Sequence, residues 1–303
     1  MTAGGAENAA VADGRIIRLA AQDGLMLAAR IFGKPQPHRL PLLCLPGLSR
    51  NSRDFIDLGR FFCPNADQER QVFALDFRGR GRSAYDADWR NYTPLTETHD
   101  VMAMAAALGI EHAVLVGTSR GGLVAMMLGA LRPGLLAGVV LNDIGPVVEG
   151  TGLARIKRYL TGISAYTSWE AAEEALRHFH AAHFPALGVD DWQALAKAIF
   201  VETDGQIRPD FDPRLGNTVR TIDFESSVPV LWPQFVGLGN IPVLAIRGEN
   251  SDILSAETVS EMAARHRYFE QLTVPGQGHA PLLRDTASLE RIKAFALRCD
   301  RPH

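Results

Sequence analysis

The chain has 303 residues, 47% of them hydrophobic and 21% charged, with a formal net charge of −3. That balance fits one large or two small globular domains able to bury a real core. The slight negative charge gives no footprint for nucleic acid or an acidic membrane surface, and no apolar run approaches membrane-spanning length.

Cys44, Cys63 and Cys299 are odd in number and far apart. Neither a disulfide framework nor a zinc site is expected, and a reducing cytoplasm fits. Residues 1–14 are small and polar, lack the apolar segment of a signal peptide, and are expected to be disordered. Residues 15–21 and 25–32 read as two strands joined by Gln22-Asp23-Gly24, a hairpin signal. Residues 41–45 form a continuous apolar run, as in a strand buried on both faces. It ends at Pro46-Gly47-Leu48. Asn51 or Ser52 can then cap a helix over 53–62.

A strand at 72–75 runs into Asp76-Phe77-Arg78-Gly79-Arg80-Gly81-Arg82-Ser83. No lysine-bearing helix follows, so this is read as a sharp structural loop with solvated or salt-bridged arginines, not a phosphate site. Thr93-Pro94 has the form of an N-cap and first helical residue, predicting a helix to 108 that stops at Gly109. An apolar strand over 112–117 then meets Gly117-Thr118-Ser119-Arg120-Gly121, and an apolar helix runs from there to 131. The next strand, 138–141, ends at Asn142-Asp143-Ile144. Residues 146–233 read as helices, at about 153–160, 169–183 behind Ser168, and 191–201 behind Asp190. Asp204-Gly205 marks a turn, and a further helix ends near Thr221. Strands return at 243–247 and 269–274, and a final helix covers 287–297.

The pattern predicts an α/β fold: an eight-stranded, mostly parallel sheet with helices on both faces and its first strand pair antiparallel. Such sheets place ligands at the carboxyl ends of their strands. The core is expected in 15–145 and 234–303, with 146–233 an all-helical cap inserted after the sixth strand.

Ser119 sits between a strand and a helix, at a turn so tight that Gly117 and Gly121 are needed to leave room. The pattern G-x-S-x-G resembles the nucleophile elbow of the α/β-hydrolase family, and the resemblance spans nearly the whole chain. It implies a Ser–acid–His order. His279, in Pro275-Gly276-Gln277-Gly278-His279 after the last strand, is the candidate base among nine histidines. For the acid, resemblance to Gly-x-x-Ser-Asp loops of the family favours Asp252. Glu249 is a local rival. Asp143 is a second, since some members carry the acid after the sixth strand, though it also reads as a structural partner of a neighbouring loop. The resemblance further implies backbone N–H donors at Arg120 and Leu48 for a developing oxyanion. Many relatives have His-Gly where this chain has Pro46-Gly47, which leaves the main-chain donor in place.

Arg120 puts a full charge beside an electropositive helix end, where many relatives carry Met or Gln. Its guanidinium is expected to pair with Asp143; the alternative is that it reads a substrate carboxylate. Ile144, Trp169 and Trp232 are the candidates for lining the pocket. His178, His180 and His183 spread around one helix and do not suggest a metal site. No metal or cofactor is called for.

These readings imply a serine hydrolase of a small acyl compound (ester, thioester or lactone), with water as second substrate. Carbon–carbon hydrolysis of ring-fission diketones, cofactor-free haloperoxidation and acyl transfer can run on the same residues. Ala280 stands where carbon–carbon hydrolases often carry Trp, and Ser119 itself argues against dehalogenases and epoxide hydrolases, which use aspartate at the elbow. A receptor-like relative with little turnover is the rival from another class.

Overall fold

In a computed structural model, residues 13–64, 70–220 and 230–300 are described. The disorder expected of the first fourteen residues, and the helix end near Thr221, therefore fall largely outside them. The strands of the main sheet are β1 (Arg15–Ala20), β2 (Met26–Phe32), β3 (Leu42–Leu45), β4 (Val72–Asp76), β5 (Ala113–Thr118) and β6 (Leu136–Asn142). After the insertion, which holds β7 (Phe200–Thr203) and β8 (Gln206–Pro209), come β9 (Val243–Gly248) and β10 (Phe269–Val274). The main sheet has eight strands in the order β1-β2-β4-β3-β5-β6-β9-β10. β2 runs antiparallel to both neighbours, and every other pairing is parallel.

Local chemistry accounts for the elements. Gly24 turns the first hairpin at φ +84°, and Asp23 Oδ1 accepts from the Leu25 N–H. The Thr93 hydroxyl accepts from the Thr96 N–H at 3.2 Å and, with Pro94 next, starts α2 (Pro94–Ala107). The helix α1 (Ile56–Phe62) is shorter than expected, because the turn after Asn51 is a 3₁₀ turn over Ser52–Phe55.

β3 and β5 are almost wholly buried because the sheet is covered on both faces. On one face Leu43, Leu45 and Leu115 meet Val101 and Met104 of α2, Val124 of α3 (Arg120–Leu131), Phe235 of α8 (Trp232–Val236) and Met262 of α9 (Ala256–Arg265). On the other, Cys44, Val114 and Val116 meet Leu58 and Phe62 of α1 and Ile292 and Phe295 of α10 (Thr286–Cys299).

The arginine-rich loop is structural. Arg78 is buried and donates to Asp100, Asp86 and Asp23. Asp76 accepts from the N–H groups of Ser52 and Arg82. Such fully paired buried charges fix a loop in one shape.

The insertion carries α4 (Gly150–Gly162), α5 (Trp169–His180), α6 (Val189–Ile199) and α7 (Asn217–Arg220) around its own apolar cluster, including Leu176, Trp192, Phe200 and Leu215. It is not all-helical, which corrects the expectation: β7 and β8 form an antiparallel hairpin. Asp204 at φ 53° and Gly205 at φ 70° make its two-residue turn. Four-residue strands are too short to show alternation beside a helix that reads on into them. The insertion's ends meet where the Leu231 N–H donates to the Pro146 carbonyl at 2.7 Å.

Candidate active site

β5 delivers its last residue, Thr118, to the carboxyl edge of the sheet, and the chain reverses at once into α3. Ser119 takes φ 49°, ψ −110° at the apex, a conformation costing about 1–3 kcal/mol for a residue with a Cβ. Both flanking glycines are sterically required. A Cβ on Gly117 would lie 2.5 Å from the Gly121 carbonyl oxygen, and one on Gly121 would lie 2.2 Å from that of Leu45.

The His279 ring lies over this apex. Its Nε2 is 2.9 Å from Ser119 Oγ and its Nδ1 is 2.8 Å from Asp143 Oδ2. Asp143 is fully buried at the end of β6. Its Oδ1 accepts from the Gly248 N–H at 2.7 Å, and its Oδ2 also accepts from the Ser251 hydroxyl at 2.6 Å. A carboxylate so held can only accept, so the proton of a neutral His279 resides on Nδ1. Nε2 is then left as an acceptor for the Ser119 proton. An imidazole in this tautomer can take a proton from the hydroxyl and return it to a leaving group.

The acid partner of His279 is thus Asp143, and the expectation of Asp252 is corrected. The loop after β9 serves Asp143 through Gly248 and Ser251. Ser251 is locked in that role because its Oγ also accepts from the N–H groups of Ile253 and Leu254. Asp252, one residue on, turns the other way to Arg155 of α4, which donates to both its oxygens at 2.6 and 2.7 Å. Glu249 is engaged by the Gly276 N–H.

Burial alone would raise the Asp252 carboxyl, but the Arg155 guanidinium outweighs it and holds it below the ordinary carboxylate value. A depressed folded-state pKa gives stabilisation that is present above the ordinary value and lost as pH falls through the folded one. Asp252→Asn is therefore expected to cost about 2 kcal/mol in urea unfolding at pH 7, with the gap to wild type closing below about pH 4. An equal cost at both pH values would show that the ion pair is not its source.

The loop after β3 passes beside the nucleophile turn, where the Gly121 N–H donates to the Pro46 carbonyl at 3.1 Å. Arg80 fixes it from behind, Nε donating to the Leu48 carbonyl at 2.8 Å. No hydrogen bond from the backbone N–H of Leu48 or Arg120 occurs among the described residues. Both donors are left for a ligand, as an oxyanion site needs.

The expected Arg120–Asp143 pair is also corrected. Arg120 Nε lies 3.7 Å from Glu97 Oε2 in α2, while Asp143 is saturated by His279, Ser251 and Gly248.

Two chambers meet at Ser119. The smaller, about 190 Å³, also borders His279 and is lined on one side by Arg50, Arg155, Tyr159 and His180. Burial, then the Arg155 and Arg50 charges, push the His180 pKa down to about 3, so it stands there as a neutral ring. The larger, about 540 Å³, is mostly apolar. Of the three expected pocket residues, Ile144 lines this larger chamber. Trp169 packs on the insertion's own core, and Trp232 stacks beneath the Arg265 guanidinium at 4.1 Å, so neither borders a chamber. Tyr159, His180 and Ile156 were not foreseen; the amphipathic pattern of their helices marks a buried face without saying whether it meets protein or ligand. No group of three or more His, Cys, Asp or Glu suited to a metal ion occurs among the described residues, and no helix there is long and apolar enough to cross a membrane.

Comparison with known proteins agrees with this architecture. Residues 42–291 match the Alpha/beta hydrolase family. The chain is 32% identical over 277 residues to a 3-hydroxybutyrate-oligomer hydrolase of Cupriavidus necator, covering 87% of this chain and 90% of that protein. It is 27% identical over 210 residues to a 2-(acetamidomethylene)succinate hydrolase of Mesorhizobium japonicum, covering 69% and 71%. A crystal structure of an alpha/beta hydrolase from Novosphingobium aromaticivorans superposes with a TM-score of 0.85 at 37% identity, covering 95% of this chain and 99% of that one. With the sheet order, the strained serine turn and a family match over most of its length, the chain belongs to the alpha/beta hydrolase family.

Proposed function

We propose that this hydrolase cleaves small carboxylic esters, with thioesters and lactones in the same reach, through a Ser119–His279–Asp143 triad and an acyl-enzyme. The observation that carries the reading is the unbroken relay from Asp143 Oδ2 through the imidazole to Ser119 Oγ, at 2.8 and 2.9 Å. Ser119 attacks the acyl carbonyl as His279 Nε2 takes its proton. Asp143 holds the Nδ1–H tautomer and stabilises the imidazolium. The N–H groups of Leu48 and Arg120 receive the oxyanion. His279 then protonates the departing alkoxide, and a water deprotonated by the same nitrogen releases the acid. The described residues of 146–220 and 230–233 act as a cap over the chambers. The relative from C. necator is named for 3-hydroxybutyrate oligomers. An oligoester of a short hydroxy acid also suits two chambers that part at the nucleophile, one for each side of the scissile bond.

The test is covalent labelling with a fluorophosphonate probe, followed by turnover of p-nitrophenyl esters from acetate to decanoate. The expected result is a single adduct at Ser119 and hydrolysis that favours the short esters. A folded protein that neither labels nor turns over would overturn the reading in favour of a ligand-binding role.

A further inference from the structure

Behind the nucleophile turn lies a charge cluster that the hydrolytic chemistry leaves unexplained. Glu97 is fully buried in the first turns of α2. Arg80, also fully buried, brings Nη2 within 2.8 Å of Glu97 Oε1. Arg120 approaches the other oxygen only to 3.7 Å, beyond hydrogen-bond length. One carboxylate thus faces two guanidinium groups, a local excess of one positive charge. Arg80 also donates through Nε and Nη1 to the carbonyls of Leu48 and Arg78 and lies 5.2 Å from the Tyr92 ring centroid, while its buried Nη2 meets Glu97 as an ion pair without a well-aligned hydrogen bond. The Arg120 side chain makes no hydrogen bond among the described residues, although it is only 12% exposed. A guanidinium withdrawn that far from water is costly unless an anion completes its shell.

Arg120 lines the larger chamber together with Ser119. The surroundings there are Leu123, Ile144, Val148 and similar apolar groups. No carboxylate lines that chamber among the described residues. Its other charged residue, Arg90, has a side chain 75% exposed and already held by Asp88 at 2.9 Å. Neutralising Glu97 does not require Arg120, since Arg80 is closer. The backbone donor at this position does not require an arginine either.

We propose that the Arg120 guanidinium recognises a substrate carboxylate in the apolar chamber, and that the substrates are monoanionic esters with a short aliphatic spacer between carboxylate and scissile ester. This presupposes ester hydrolysis at Ser119, as argued above. A carboxylate presents two oxygens to the planar fork of an arginine, and the low dielectric of the chamber strengthens the pair. The spacer occupies the apolar wall, and the ester is carried to the nucleophile one residue away along the chain.

Two matched substrate pairs provide the test. Monomethyl and dimethyl glutarate place the charge on the acyl side, whereas 3-acetoxybutyrate and 3-acetoxybutyramide place it on the alcohol side. The wild-type enzyme is expected to favour the anion in at least one pair by about tenfold or more in kcat/KM. Arg120→Met should lower that anion-to-neutral ratio by roughly 10–100-fold, and Arg120→Lys should restore part of it. Should Arg120→Met fail to fold, wild-type ratios that fall as salt is raised, together with the Lys variant, carry the same test. Equal or lower kcat/KM for the anion in both pairs, with the neutral esters turned over, overturns the carboxylate assignment and leaves the hydrolase reading standing. If no ester is turned over and Ser119 takes no fluorophosphonate, the hydrolase reading itself falls and the assignment falls with it.

Discussion

Ser119→Ala is expected to lower kcat by about 10⁴–10⁶-fold on any ester the wild type cleaves, because members of a triad act as a unit and little remains once the nucleophile is gone. The variant should fold. Alanine keeps a Cβ and so bears the same φ 49° apex as serine, while Gly117 and Gly121 still leave the room the turn needs. It loses one hydrogen bond, the 2.9 Å contact to His279 Nε2. Both chambers keep their lining apart from one hydroxyl, so a non-covalent ligand should bind with Kd within about tenfold of wild type, the loss of at most a single hydrogen bond. Fluorophosphonate labelling should disappear. Turnover within tenfold of wild type would mean that Ser119 is not the nucleophile, since the residual donors at Leu48 and Arg120 cannot by themselves supply an acyl-enzyme.

Much of this arrangement is legible in the sequence where a local rule acts. Asp23-Gly24 turns, Thr93-Pro94 caps, and the spacing of Gly117 and Gly121 around Ser119 each depend on a few neighbouring residues. The features that escaped are those settled by distant parts of the chain. β6 and β9 are adjacent in the sheet, so the loops after both bring an acid to the same edge. What decides between Asp143 and Asp252 is one step of phase: Ser251 faces inward and Asp252 outward. The outward choice is secured by Arg155, 97 positions earlier on an insertion helix. Glu97 looks like an ordinary acid in the first turn of a helix, a place where charge favours the dipole and usually meets solvent. Only the packing of α2 against the Arg80 loop shows that it is buried between two arginines. The two tryptophans failed as pocket residues for a related reason, since a large aromatic at a helix start packs against protein as readily as against ligand.

Asp143→Asn and Asp252→Asn should separate the two carboxylates by orders of magnitude. In the native site three donors converge on Asp143: the Gly248 N–H on Oδ1, and the Ser251 hydroxyl with His279 Nδ1–H on Oδ2. An asparagine there has one oxygen and one NH₂. The Gly248 N–H can only donate, so it keeps the oxygen at the Oδ1 position and forces the NH₂ toward His279 and Ser251. The Ser251 oxygen already accepts from the Ile253 and Leu254 N–H groups, so the NH₂ is left to donate to the imidazole, which must accept at Nδ1 and therefore carry its proton on Nε2. In that tautomer the ring donates toward Ser119 and cannot take its proton. The expected loss is about 10⁴-fold in kcat with the fold intact, as for other triads held in the wrong tautomer. Asp252→Asn leaves the Gly248 and Ser251 contacts to Asp143 untouched and should stay within about tenfold in kcat, its cost appearing in unfolding instead. Steady-state kinetics of the two variants on one short ester decide the matter. A collapse for Asp252→Asn beside near-native rates for Asp143→Asn would move the acid to the loop after β9 and require that loop to swing away from Arg155 during turnover.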